Sequence, residues 1–144
     1  MIIKTVIDIR QPVAVVFKGL VEPSNMPKWI EGFQTLESVK GKRPRKGSIS
    51  KHIFNDSKGR MEIQEEILKF DRNKKFEIRL SHKNMDTHQA FQFLNQGNEI
   101  TRLILTTQTR LIPVFMGIFS IFMKSRMKKQ QEADLKKFKY LVEK

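Results

Sequence analysis

Apolar and polar residues alternate along much of this chain, and the alternation predicts a series of β-strands. Residues 2–9 alternate with a period of two, as expected for a strand that buries one face. The same pattern returns in residues 33–40, 48–54, 60–70, 75–82, 85–94 and 99–109. Polar turns separate these runs, and the turn at 95–98 is a strong hairpin signal. The pattern therefore predicts an antiparallel sheet of seven strands.

Prolines mark two short helices between the first strand and the rest. Pro12 suits the first turn of a helix over residues 12–20, because the missing N–H of proline is no loss there. Pro23 and Pro27 frame a second, broken helical turn. We expect this turn to deliver Trp29 to the core.

One long helix is predicted at the C-terminal end, over residues 113–142. Pro113 suits its first turn, and a helix of this length would extend roughly 45 Å. Its first half is apolar on nearly every side, whereas its second half is amphipathic, with an apolar face formed by Met127, Leu135, Phe138 and Val142. A helix that is apolar on every side must be covered by the sheet, a loop, a ligand, a partner chain or lipid.

These elements predict a single α+β domain over residues 1–144, in which a curved antiparallel sheet wraps around the long C-terminal helix. A strongly twisted sheet of this size curls. A helix laid in its concave side leaves an interior gap unless large side chains fill it. The gap is a candidate ligand site.

Composition narrows the class of protein. Hydrophobic residues make up 39% of the chain and charged residues 30%, which is typical of a globular protein and excludes a disordered one. No cysteine is present, so disulfide and thiol chemistry are excluded. The first residues lack the pattern of a signal peptide, and the apolar run at 111–123 is shorter than the roughly 20 residues that cross a bilayer. We expect a cytoplasmic protein.

The formal net charge of +13 is concentrated in two segments. The basic residues are Lys40, Lys42, Arg43, Arg45 and Lys46 in a predicted turn, and Lys124, Arg126, Lys128 and Lys129 in the helix. Such segments attract anionic lipid, nucleic acid or an acidic protein, or they serve only as a solvated surface. The turn has no aromatic residues to stack on bases, which argues against nucleic acid. Peripheral contact with an anionic membrane is the predicted use.

Several standard chemical motifs are absent. The turn at 41–47 has the length of a phosphate-binding loop but lacks its Gly-Lys-Ser/Thr ending and lies between two strands. His52, His82 and His88 have no metal-binding spacing, and there is no nucleophile elbow. We therefore predict no metal and no other cofactor.

The order of elements resembles the START-like, or SRPBCC, superfamily of helix-grip proteins. The resemblance rests on the strand-Pro-Val-Phe-helix opening at 9–20, the segment ending in tryptophan at 26–29, and Gly47 at the start of a strand. The threonine-rich strand at 106–109 and the terminal pattern at 132–143 add to it. It implies a deep cavity between helix and sheet, which relatives use for lipids, sterols, polyketides, aromatic hormones or quinones.

Relatives of this kind include cyclases, hydrolases, ligand carriers and a protein-binding activator of the heat-shock ATPase. This chain offers few inward polar groups, which argues against catalysis. The sequence therefore favours binding or transport of a hydrophobic small molecule such as a lipid, quinone or polyketide-like compound. The alternative is a cyclase or hydrolase that acts on a hydrophobic substrate with Glu65 as general base.

Glu65 is the candidate because it interrupts the apolar face of its strand between Ile63 and Ile67. A carboxylate that faces a cavity has its pKa raised by desolvation and can act as a base or bind a polar ligand atom. A β-bulge or a shifted register would instead return it to solvent beside Glu66.

His82 is the candidate partner of Glu65, and Gln89 and Thr87 are candidates for hydrogen bonds to a ligand. His82 is in phase with the inward residues of its strand but lies at the strand end, where exposure is common. Gln89 is in phase with Phe91, and Thr87 lies on the same face. Each could orient a ligand or belong to the core or rim.

The predicted cavity wall combines the long helix with inward strand residues. Phenylalanine and methionine make an adaptable apolar wall, although the same residues could be plain core or face a partner chain. The wall residues are Trp29, Ile63, Glu65, Ile78, Gln89, Phe91, Phe115, Met116, Phe119, Phe122 and Met123.

Overall fold

The computed structural model describes residues 1–56, 59–83, 85–111 and 118–144, and the side chains of these residues other than 56, 111 and 118–121. The element order is that expected from the sequence. The elements are β1 (Ile2–Ile9), α1 (Val13–Val21), a 3₁₀ turn (Pro23–Asn25), α2 (Met26–Trp29), β2 (Phe33–Lys40), β3 (Ile49–Asp56), β4 (Gly59–Asp71), β5 (Lys75–His82), β6 (Met85–Asn95), β7 (Thr101–Leu111) and α3 (Ile118–Glu143). The predicted helix start at Pro113 lies outside the described residues.

The strands form one antiparallel sheet in the order β1-β7-β6-β5-β4-β3-β2. Consecutive strands from β2 to β7 pair as hairpins. β1 pairs with β7 and forms one edge of the sheet. The hairpin at 95–98 forms as predicted, and Asn98 adopts a positive φ of 54° in its turn. The predicted α+β helix-grip architecture is confirmed.

From one end of the central strands to the other, the inward positions change from large apolar residues to polar ones. This change is clearest where β6 pairs with β7. Taken in order, the opposed inward pairs are Phe93 with Leu103, Phe91 with Leu105, Gln89 with Thr107 and Thr87 with Thr109. At one end of the sheet, side chains therefore fill the space between the sheet and α3, and at the other end they do not.

The packed half of the interior is the part that surrounds Phe93, Leu103 and Phe138, and all three side chains are buried. Helix α1 closes this half against the C-terminal part of α3. A Cβ at Gly19 would lie 2.8 Å from Cγ1 of Val142, so the two helices approach this closely because residue 19 has no side chain. The hollow half is the part that surrounds Thr87, Thr107 and Met127.

Candidate ligand-binding site

A cavity of about 250 Å³ occupies the hollow half, between the sheet and α3. Most of its wall is apolar, which is typical of sites for hydrophobic ligands. Prominent apolar wall residues are Trp29, Phe54, Ile78, Leu80, Phe91 and Met127. The polar wall residues are His52, Thr87, Gln89, Thr107, Gln130, Gln131 and Asp134.

The cavity exists because small polar side chains face the helix here and bond to the protein. The hydroxyl of Thr107 donates to Oε1 of Gln131 at 2.6 Å, and Nε2 of Gln131 donates to the hydroxyl of Thr5 at 2.8 Å. The hydroxyls of Thr87 and Thr109 lie 3.2 Å apart and share a hydrogen bond. These groups are satisfied without filling the interior, so space remains between them.

A buried charged network lies beside this cavity. The carboxylate of Glu65 is fully buried and accepts the Nε–H of Arg43 at 3.0 Å on Oε1. Its Oε2 lies 2.7 Å from Nε2 of His52 and 3.5 Å from Nη2 of Arg43. Arg43 also donates from Nη1 to the carbonyl of Val21 at 2.6 Å. The network therefore connects the end of α1 to the cavity wall, where His52 lies.

Glu65 does not behave as the sequence predicts. Burial raises the pKa of Glu65, but the hydrogen bonds that Glu65 makes with His52 and Arg43, together with the charge of Arg43, outweigh burial, and the net pKa is lowered. The expected rise in the pKa is therefore wrong. The alternative return to solvent is also wrong, because the side chain is 0% exposed. The carboxylate lies behind His52 and is not part of the cavity wall.

Arg43 is a second correction. The sequence placed it in an exposed basic turn, but its side chain is only 6% exposed and its guanidinium lies 5.7 Å from the centre of the Phe76 ring. A guanidinium can be buried here because Glu65 neutralises it and a carbonyl accepts another of its donors. The basic turn therefore presents only its other members, Lys40, Lys42, Arg45 and Lys46, to solvent.

The structure brings together some of the predicted wall residues and separates others. Trp29, Ile78, Gln89 and Phe91 line the cavity, as does Thr87. Ile63 is buried on the same face of β4 as Glu65, but neither residue is in the wall. The exposed His82 bonds to the carbonyl of Glu62 at 3.0 Å, away from the cavity.

The helix contributes different residues from those predicted. Phe115, Met116 and the side chain of Phe119 lie outside the described residues. Phe122 is 68% exposed and Met123 is half-buried, and neither lines the cavity. The helix residues in the wall are Met127, Gln130, Gln131, Asp134 and Leu135. Positions 127, 131 and 135 form one stripe at a spacing of four, and Phe122 lies off that stripe.

His52 is the wall residue that sequence reasoning missed most completely. It shares the inward face of β3 with Ser50, and both are buried opposite β4. A run of polar residues on one strand face normally indicates the solvent side, which is why this face was not assigned to the interior. The signal that could have found it is the in-phase Phe54, which also lines the cavity.

Asp134 is the one acidic residue among the described wall residues. Its desolvation by burial raises its pKa, and this effect exceeds the opposing hydrogen bond from Gln130 and the charge of Lys137. Nε2 of Gln130 donates to Oδ1 of Asp134 at 2.8 Å. The helix therefore adds a weakly acidic hydrogen-bonding group to the wall.

The two basic segments lie at opposite ends of the sheet. The turn at 41–48 joins the ends of β2 and β3 on the side of the packed half, because Lys40 pairs with Ile49 there. The segment at 124–129 belongs to the start of α3, which follows the opposite end of β7. It includes Met127 of the cavity wall. The two segments therefore do not form one surface.

Two further observations concern the described residues. Within 1–56, 59–83, 85–111 and 118–144, no group of three His, Asp or Glu side chains is placed to hold a metal ion. No helix in this part of the chain is both long enough and apolar enough to cross a membrane.

A curved sheet closed by one long helix, with a mostly apolar cavity between them, defines a helix-grip protein of the START-like, SRPBCC class. The sequence matches the family described as polyketide cyclase / dehydrase and lipid transport over residues 2–143, and the chain belongs to this family. The resemblance inferred from the sequence is confirmed. Membership supports binding of a hydrophobic small molecule in general.

Solved structures share the fold at low sequence identity. The protein TTHA0849 from Thermus thermophilus is 19% identical, with a TM-score of 0.80 over 99% of this chain and 97% of that chain. A conserved protein from Geobacillus kaustophilus is 15% identical, with a TM-score of 0.81 over 99% and 95%. Ara h 8.0201 is 15% identical, with a TM-score of 0.78 over 99% and 97%. No curated protein matches this chain.

Proposed function

We propose that this protein binds and carries a hydrophobic small molecule, such as a lipid, quinone or polyketide-like compound, in the hollow half of its interior. The observation that carries the proposal is the cavity of about 250 Å³ between the sheet and α3, with its mostly apolar wall. A cavity of this kind is costly to keep, because its lining forgoes the contacts that a packed core makes. A ligand restores those contacts.

Binding would be driven by removing apolar ligand surface from water. The gain is about 25 cal/mol for each Å² that is buried, before the cost of ordering the ligand. Phe54, Leu80 and Met127 would supply much of the contact. Since this driving force is not electrostatic, the affinity for an uncharged ligand should not depend on salt concentration.

The basic segment of α3 suggests where the ligand is exchanged. Lys124, Arg126, Lys128 and Lys129 are exposed around Met127, and the exposed Phe122 lies just before Lys124 on the same helix. Lysine and arginine near an anionic membrane surface each contribute about 1 kcal/mol of attraction. This segment would hold the cavity against an anionic membrane, and its binding to vesicles should weaken as salt is added.

The alternative from the sequence, a cyclase or hydrolase with Glu65 as general base, stays a prediction. Both oxygens of Glu65 already accept hydrogen bonds from Arg43 and His52. A general base must lie within hydrogen-bond reach of the substrate proton, and Glu65 is fully buried outside the cavity wall. The geometry therefore favours binding over this form of catalysis.

Native mass spectrometry of the protein as purified tests the proposal. The wild type should carry additional mass that denaturation releases, and solvent extraction should identify an apolar molecule. A blocked variant, Leu80→Phe/Met85→Phe, enlarges two wall residues and should lose most of this mass. Its matched control, Val6→Phe/Val39→Phe, enlarges two residues that are 51% and 54% exposed and should keep it.

The opposite pattern would contradict the proposal. If the wild type carries no additional mass, and gains none after incubation with a total lipid extract, the cavity is not a carrier site. Equal loading of the wild type and the blocked variant would place the bound molecule elsewhere on the protein.

A further inference from the structure

His52 is a buried polar group in the cavity wall that packing alone does not explain. Only 3% of the residue is exposed, and its ring packs beside two aromatic rings that also contact each other. The ring centre is 5.3 Å from that of Phe33, in an edge arrangement, and 6.2 Å from that of Phe54. Burying a polar ring among aromatic side chains is costly unless both of its nitrogens have hydrogen-bond partners.

The network behind His52 fixes which ring nitrogen carries the proton. Glu65 accepts hydrogen bonds from Arg43, so its carboxylate is ionised and can only accept. Its Oε2 lies 2.7 Å from Nε2 of His52, and Nε2 must therefore donate. When the imidazole carries a single proton, Nδ1 is then left as an acceptor. No donor to Nδ1 is found among the described residues.

A chain of three hydrogen-bonded contacts, from Val21 to Arg43, from Arg43 to Glu65 and from Glu65 to His52, holds this arrangement in place. Arg43 is anchored to the carbonyl of Val21 at 2.6 Å, and Glu65 is 0% exposed. The ring of His52 therefore cannot turn without breaking a bond to a buried carboxylate. Hydrogen bonds of this kind, from residues that do not touch the ligand, fix the orientation of a side chain that binds it.

We propose that His52 is the polar anchor of the cavity, where its Nδ1 accepts a hydrogen bond from an O–H group at one end of an otherwise apolar ligand. Phenols, enols and carboxylic acids have this chemistry. Arg43 and Glu65 act as positioning residues. The inference rests on the proposed function, because it assigns the polar end of the same ligand.

A matched pair of ligands tests the anchor. 4-Hexylphenol and 4-hexylanisole differ only in the O–H, which is replaced by O–CH₃ in the anisole. Their affinities are measured by competition with a neutral fluorescent probe, N-phenyl-1-naphthylamine. The wild type should prefer the phenol by about tenfold, as expected for one net hydrogen bond in a buried site.

Two histidine variants separate the anchor from a general effect of losing an imidazole. In His52→Leu the preference for the phenol should disappear while the anisole still binds. In the control His88→Leu the preference should remain, because His88 bonds to Glu77 away from the cavity wall.

A measurement on the wild type covers the case in which His52→Leu does not fold. The ¹⁵N resonance of His52 Nδ1 should shift when 4-hexylphenol is added, and it should shift little with 4-hexylanisole. Equal binding of the two ligands with no change at Nδ1 would overturn the anchor and leave the carrier proposal standing. Failure of both ligands and of the probe to bind would overturn both proposals.

Discussion

The two halves of the interior share one sheet and one helix, yet one is packed and the other is hollow. In the packed half Phe93 and Leu103 oppose each other under Phe138. In the hollow half the equivalent layers are Gln89 with Thr107 and Thr87 with Thr109. Where polar residues take the inward positions that large apolar residues hold in the packed half, the interior contains a cavity.

The comparison shows how stability and binding are divided along the molecule. Large buried side chains contribute to stability through transfer from water and close packing. The threonines and Gln131 form hydrogen bonds with one another, so the apolar surface of the wall stays available to a ligand. We therefore expect substitutions in the packed half to affect stability most and those in the hollow half to affect binding most.

The largest effect is expected in the packed half. Phe138→Ala removes a ring that is fully buried and that packs 5.2 Å from the ring of Trp29, centre to centre. It should lower the free energy of unfolding by about 3–5 kcal/mol, the usual cost of such a truncation. Urea unfolding followed by circular dichroism measures it. A loss below about 1 kcal/mol, on the order of a surface change, would contradict the account of this half.

A smaller effect is expected where the charged network joins the two halves. Glu65→Gln leaves Arg43 buried without a counter-charge and should cost about 3 kcal/mol at neutral pH. The pKa of Glu65 is lowered in the folded protein from its ordinary value of 4.5. Its contribution is therefore present above that value and lost as the pH falls through the lowered pKa.

Unfolding experiments at several pH values test this sign. The gap in stability between the wild type and Glu65→Gln should narrow as the pH falls below 4.5. Glu62→Gln, at an exposed neighbouring position on β4, controls for the loss of one negative charge. A gap that widens in acid would mean that the carboxylate is stabilised in its protonated form.

The smallest effect on stability is expected in the hollow half. Met127→Ala shortens a half-buried residue that borders empty space, so it should cost only about 1 kcal/mol. It should nevertheless weaken binding of N-phenyl-1-naphthylamine, because it removes part of the apolar wall. A stability loss as large as that of Phe138→Ala would show that the two halves do not differ as described.

Local pattern was sufficient to predict the sheet. Strands β2 and β5 have the predicted bounds, because side-chain alternation depends only on neighbouring residues. The amphipathic half of α3 was also predicted, and Leu135 and Phe138 are fully buried. The fold class follows from the order of such elements, which requires no knowledge of distant contacts.

The site depends on contacts between distant positions, which local pattern does not show. Arg43 reaches Glu65 across 22 positions and lies in a turn whose composition indicates a solvated surface. Together with the hydrogen bond of His52, buried Arg43 lowers the pKa of Glu65, and Glu65 in turn orients His52. The exposed Phe122 illustrates the same limit, because an evenly apolar helix segment does not reveal which of its faces meets the sheet.

The most direct test of the account uses Trp29, the only tryptophan and a cavity wall residue. Energy transfer from Trp29 to N-phenyl-1-naphthylamine is followed as this probe is added at low and at high salt. We expect saturable binding at one site, equal at both salt concentrations, kept in Val6→Phe/Val39→Phe and weakened at least about tenfold in Leu80→Phe/Met85→Phe. Binding that does not saturate, or that is the same in the blocked variant, would contradict the assignment of the hollow half as the ligand site.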